Sequence, residues 1–518
     1  MKLRNLAVVF CAASALLAAC SSTDDDSNGN TNGGGGSGGK NTAGASGKAG
    51  SGSAGKGGSA GSETPGGAGE AGSGTEDNAG SGGMGGEGGA ATVSETFTVT
   101  LENVAPSKQY TSTGVFDTPV GDLAAGPATP GKSYKFTVDA GRKQKLYFAS
   151  MLAATNDVFF APNGDGIPLY LENGTPITAD VTSQIYLWDA GTELNEEPFI
   201  GANTVTNQTT VNTGVVDTNN KVRKIATVSE GFVFAYPPVA SLIKVTVTHT
   251  IGTSFDVTID DLSTATLTTG DLVNHPAPIS PGVWVVSSSP NALFTDQAPA
   301  PAHGLEALAE DGRPVALATY LAANAGVTYP ASPGAWLLHK AGTKPLFTSG
   351  AKDLGEGLEA IAEDGNPAPL AANLESLDGF IKGAVFNTPV AATAPGPIAP
   401  GSKYQFTFDG SPGDSLSFAT MLAATNDVFL APKDLGIPLF DADGVPLTGD
   451  ISNQIYLWDA GTEANEAPAI GPNTVTNQLA ANTGAAGEGK VQLLSAVTTD
   501  TYSYPSAQSV LKVTVSTK

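Results

Sequence analysis

Apolar and polar residues alternate through Phe97-Thr98-Val99-Thr100-Leu101, the two-residue period of a strand with one buried face. The same rhythm returns in Phe255-Asp256-Val257-Thr258-Ile259, in Leu242-Ile243-Lys244-Val245-Thr246-Val247 and in Val510-Leu511-Lys512-Val513-Thr514-Val515. Pro130-Gly131 and Pro400-Gly401 each mark a turn that feeds a further strand, Ser133-Tyr134-Lys135-Phe136 or Ser402-Lys403-Tyr404-Gln405-Phe406. Helical spacing is confined to two short stretches. Leu305, Leu308 and Ala309, and again Leu358, Ile361 and Ala362, recur at intervals of three and four, with Gly312 or Gly365 as a stop. Short strands punctuated by Pro, Gly and Asn predict an all-β chain of antiparallel sandwiches.

The strands are organised around a block that occurs twice. Residues 149–208 return at 419–478, and Asp157, Asp189 and Glu193 map onto Asp427, Asp459 and Glu463 at one offset of 270. Val115-Phe116-Asp117-Thr118-Pro119-Val120 likewise matches Val385-Phe386-Asn387-Thr388-Pro389-Val390. Aligning the copies from their first strands predicts one sandwich at 92–250 and a second at 251–518. The second then carries a duplicated insert at 280–375, in which Ser280-Pro281-Gly282-Val283-Trp284 and Ser332-Pro333-Gly334-Ala335-Trp336 each open a strand followed by a short helix.

Composition sharpens this picture at the N-terminus. Met1-Lys2-Leu3-Arg4 and the apolar run Leu6 to Leu17 form a positive start and a short hydrophobic core, a secretory signal too short for a stable membrane span. Leu17-Ala18-Ala19-Cys20-Ser21 resembles a bacterial lipobox, which makes residues 1–20 a lipoprotein signal and Cys20 the lipidated first residue; a plain signal peptide cut nearby is the alternative. The resemblance implies an envelope protein held by lipid, at the outer membrane and exposed at the surface. Residues 21–91 are Gly, Ser, Ala, Asn and Thr with almost no large apolar side chain, so they predict a disordered tether spanning roughly 45–50 Å. Cys11 and Cys20 are the only cysteines, which leaves no disulfide, zinc site or thiol nucleophile downstream. With 25 Lys and Arg against 50 Asp and Glu, the chain is a polyanion suited to cations rather than nucleic acid.

The candidate chemistry is acidic. Asp189 and Glu193 stand four apart in Trp-Asp-Ala-Gly-Thr-Glu, across a glycine turn, and Asp157 ends Thr-Asn-Asp. Three carboxylates on flexible loops suit Ca²⁺, which takes six to eight oxygens. The competing reading has Asp157 and Asp189 capping turns through backbone hydrogen bonds with Glu193 solvated, and the residues leave both open. His249, His275, His303 and His339 show no ligand spacing. Asp441-Ala442-Asp443-Gly444 lacks the later glutamate of a calcium-binding loop and reads as a turn.

Thr-Asn-Asp followed by an aromatic, Tyr-Leu-Trp-Asp-Ala-Gly-Thr-Glu, and Gly-Leu-Glu-x-x-Ala-Glu-Asp-Gly resemble the spondin N-terminal domain of the F-spondin and mindin family. The resemblance implies a β-sandwich that holds one calcium ion per domain on acidic loops. It carries ligand roles onto Asp157, Asp189 and Glu193, and onto Asp427, Asp459 and Glu463. It also implies a non-enzymatic adhesion or ligand-binding module with an extracellular protein or glycan partner. A secreted glycan-processing hydrolase using the same acids, and a spacer without ligand, are the alternatives.

Overall fold

The computed structural model describes residues 94–227, 235–498 and 501–518. The signal, the tether and Cys20 lie outside the described residues. Two sandwiches are present, every strand ladder in them is antiparallel, and each pairs a four-stranded with a seven-stranded sheet. One hydrophobic cluster fills each interior. Phe116, Phe136, Phe148, Phe160 and Phe255 lie in the first, and Phe97, Trp336, Phe406, Phe408 and Phe418 in the second.

The sandwiches are assembled differently from the sequence expectation. Ser254–Asp261, expected to open the second sandwich, pairs with Ile243–Ile251 and with Ser133–Asp139 of the first. A two-residue turn at Gly252 and Thr253, with Gly252 at φ +58°, ties it to the preceding strand. Glu95–Asn103, expected to open the first sandwich, instead lies between Lys403–Gly410 and Leu511–Thr517 in the second. Its alternation buries Phe97, Val99 and Leu101 opposite Phe408, Phe406 and Tyr404. The boundary at 250 is therefore displaced, because local hairpin closure outcompetes the pairing that the repeat alignment suggests.

The supposed insert of the second domain is shared out in the same way. Ile279–Ser287 fills the first seven-stranded sheet between Ser112–Phe116 and Lys145–Leu152, and Ala331–Lys340 fills the second between Phe380–Phe386 and Asp414–Leu422. Each strand opens on a bulge. There the Met151 or Met421 amide donates to the Ser280 or Ser332 hydroxyl at 2.9 Å, in place of a regular ladder bond. Gly282 and Gly334 are required beside the bulge, since a Cβ would stand 2.3 and 2.1 Å from the carbonyl oxygens of Ala149 and Ala419.

Two helices follow each of these strands, one more per unit than expected: Leu305–Asp311 with Val315–Asn324, and Leu358–Asp364 with Ala368–Asn373. They cover the outer face of the seven-stranded sheet, where Leu305, Leu308 and Leu321 pack on Phe159, Trp188 and Val285. That third layer explains why Lys145–Leu152 and Val158–Pro162 are buried along almost their whole length rather than at alternate positions. Gly312 and Gly365 end the first helix of each pair in the left-handed region, as their place in the sequence predicts.

Candidate functional site

Asp157 and Asp189 come together because their strands are antiparallel neighbours. Val158 opens one strand and lies opposite Asp189, which closes the other. Asp427 and Asp459 meet in the same way through the Val428 to Asp459 pairing. Both pairs are fully or almost fully buried, Asp157, Asp189 and Asp427 at 0% exposure and Asp459 at 2%. Burial first, and then the neighbouring Asp189 charge, pushes the Asp157 carboxyl well above the ordinary carboxylate range; Asp427 is raised by burial and then by Asp459.

Backbone amides hold much of each cluster. Asp157 Oδ2 accepts from the Thr192 and Glu193 amides at 3.2 Å each, and Asp427 Oδ2 from the Glu463 amide at 3.1 Å. Asp189 Oδ1 and Asp459 Oδ1 each accept from an amide two residues on, Gly191 or Gly461, at 2.6 Å. The turn-capping reading thus describes part of what Asp157 and Asp189 do. Glu193, expected either on the ion or in solvent, is buried and accepts from the Gly214 amide at 2.7 Å; Glu463 accepts from the Gly484 amide at the same distance.

One acid of each cluster is absent from the set that the sequence singled out. Glu310 and Glu363, in the last turns of the Leu305–Asp311 and Leu358–Asp364 helices, are each 2% exposed. Burial lifts Glu310 to about 8 and Glu363 to about 7, with the Glu193 or Glu463 charge adding to the rise. Glu310 in turn raises Asp157, and Glu363 raises Asp427. The signal was the Glu-Asp-Gly motif itself, which occurs once for each Thr-Asn-Asp loop.

Several buried oxygens have no hydrogen-bond partner: Asp157 Oδ1, Asn195 Oδ1 and both Glu310 oxygens in the first cluster, and Asp427 Oδ1, Asn465 Oδ1, Thr462 Oγ1 and Glu363 Oε2 in the second. All are hard donors of the kind that Ca²⁺ accepts. Among the described residues, however, no group of three or more His, Cys, Asp or Glu side chains is gathered as a ready metal site. Of the three carboxylates named from the sequence in each copy, the two Asp form a buried pair with a helix Glu beside it, while one oxygen of the loop Glu accepts from a backbone amide. A cation here would draw on the unpartnered amide and hydroxyl oxygens as well.

Trp188 and Trp458 are core residues whose indole N–H groups donate to the Ala161 and Ala431 carbonyls at 3.1 and 3.3 Å. Asp441 accepts from the Asp443 and Val445 amides, the turn predicted there. A cavity of about 620 Å³ opens where the sandwiches meet, lined by Tyr110, Gln144, Val327, Met421 and Val475 with Lys108 and Lys143. Among the described residues no helix is long and apolar enough to cross a membrane. No protein-family model matches the chain, and no curated protein does either. The likeness to the spondin domain therefore rests on the quoted motifs.

Proposed function

We propose that the chain is a non-enzymatic envelope lipoprotein, anchored through Cys20, whose two sandwiches bind an extracellular protein or glycan and are stiffened by Ca²⁺ at the acidic clusters. The observation that carries the calcium part is the pair of like charges at the base of each cluster. Asp157 with Asp189, and Asp427 with Asp459, are removed from water together, and Asp157 Oδ1 and Asp427 Oδ1 have no hydrogen-bond partner. Such pairs are costly unless a proton, a basic side chain or a metal ion joins them. The ion would be held by Asp, Glu, Asn and Thr oxygens, and would tie the two strand-end loops to the helix that covers the sheet. The same burial favours a structural role over hydrolysis, since acids at 0% to 5% exposure offer almost no face to a glycan. The cavity between the sandwiches, with apolar walls and Lys108, Lys143 and Asp364 at its lining, offers room for a small ligand.

Melting of the chelator-treated chain with and without added Ca²⁺ tests the reading. At about 100 times the dissociation constant, the ion should add about 2.7 kcal/mol of stability. A melting temperature that ignores Ca²⁺ refutes the calcium part. Cys20→Ser should move the protein from the membrane to the soluble fraction, and retention in the membrane refutes the anchor.

A further inference from the structure

We infer that the two clusters are not equivalent: buried Arg223 stands in the first for the cation that only the second binds. This rests on the calcium reading above and narrows it from both clusters to the second, naming the residue that decides.

The two places are matched by strand register. Arg223 lies opposite Asp189, and Gln492 lies opposite Asp459. Arg223 is 4% exposed; its Nε donates to Asp189 Oδ2 at 3.0 Å, and its Nη2 lies 2.9 Å from the same oxygen and 2.5 Å from Asp217 Oδ2. A guanidinium keeps its charge at any pH at which the protein is folded. A divalent ion approaching Asp189 would meet that fixed charge at contact distance, and would have to displace a buried two-carboxylate clamp.

Both halves of the clamp are missing from the second sandwich. Gln492 replaces the guanidinium, and its neutral amide donates to Glu488 at 3.1 Å. Gly487 replaces Asp217; its amide donates to the Thr462 carbonyl at 3.1 Å, just as the Asp217 amide donates to Thr192. Asp459 Oδ2 accepts from the Asn465 amide at 3.0 Å, and the Asp459 carboxyl is also hydrogen-bonded to that of Asp427, with no basic side chain on it. Among the described residues, no Lys, Arg or His forms an ion pair with Asp427, Asp459, Glu463 or Glu363; the nearby Lys490 ammonium is engaged with Glu488 at 3.0 Å.

A second observation, independent of the acidic loops, points to a ligand here. Glu363 arrives from the covering helix, is 2% exposed, and leaves Oε2 without a partner beside Asp427, whose Oδ1 receives no N–H or hydroxyl donor at 0% exposure. Asp157 Oδ1 and both Glu310 oxygens are unpartnered in the first cluster as well, so this observation marks a cation-type site in both, and the fixed charge of Arg223 is what sets them apart. The donor set of Asp, Glu, Asn and Thr oxygens selects a hard ion of calcium's class over a softer transition metal.

Calorimetric titration of the full, chelator-stripped chain with Ca²⁺ tests this. The expected count is one equivalent, lost in Gln492→Arg and weakened at least tenfold in Asp427→Asn, with circular dichroism unchanged in both. Arg223→Gln, if it folds, should raise the count to two. Two equivalents in the parent chain, or one that survives Gln492→Arg, overturn the assignment while leaving the calcium reading intact. No binding in the parent chain overturns both.

Discussion

The two acidic clusters share fold, register and all but a few side chains, yet they balance charge by different means. In the first, Arg223 bridges Asp189 and Asp217 inside the protein; in the second, Gln492 and Gly487 stand in their places. A second matched pair shows the same contrast. Asn103 and Asp261 occupy equivalent ends of exchanged strands, both buried. Asn103 is fully engaged, donating to the Tyr329 and Ile398 carbonyls at 2.9 Å and accepting from the Ala105 amide at 3.0 Å. Neither carboxyl oxygen of Asp261 has a partner. Duplication preserved the backbone, and the copies then diverged in how each buried polar position is satisfied.

The largest expected effect breaks the symmetry of assembly. The first sandwich is closed by a local hairpin, whereas the second depends on Glu95–Asn103, about 300 residues before Lys403–Gly410 and about 400 before Leu511–Thr517. Val99→Asp puts an unpaired charge opposite Phe406 and Val515, in a strand whose buried Phe97, Val99 and Leu101 each contribute about 1.5–3 kcal/mol. Hydrogen exchange should rise in Lys403–Gly410 and Leu511–Thr517 and stay low in Ser133–Asp139 and Ile243–Ile251. Equal loss of protection in both sandwiches would contradict this assembly.

Next in size is the clamp. Arg223→Ala leaves Asp189 and Asp217 buried without their cation and should cost about 3–5 kcal/mol in denaturant unfolding. Gln492→Ala removes one amide hydrogen bond to Glu488 and should cost about 1 kcal/mol. Similar costs for the two would mean that Arg223 carries no special share.

A pH-dependent effect concerns Asp261, which burial lifts to about 8. A folded value raised above the unfolded value of about 4 means that the folded state holds a proton the unfolded chain has released. The contribution is complete below about pH 4 and is lost as pH rises through about 8. Asp261→Asn, which copies Asn103, should flatten the fall in stability across that window. An unchanged pH profile would show that Asp261 does not titrate there.

Much of this was legible in the residues. The β-rich fold, the paired acids and the glycine stops follow from alternation, the 270-residue repeat and Gly312 and Gly365. The domain boundary was not, because likeness between repeats aligns Phe97 with Phe255 but does not say which sheet each strand joins. The Gly252-Thr253 turn between two alternating runs was the missed cue. Glu310 and Glu363 sit on the apolar stripes of their helices, where the spacing of Leu and Ala masks a buried acid. Arg223 lies in a two-residue strand that has no periodicity to betray it.

Hydrogen exchange of the full chain with and without Ca²⁺ tests the asymmetry most directly, because it locates the ion as well as detecting it. Exchange should slow in the 426–466 loops and at Leu358–Asp364, with 156–196 and Leu305–Asp311 unchanged. Equal slowing in both sandwiches, or slowing in the first alone, would contradict it.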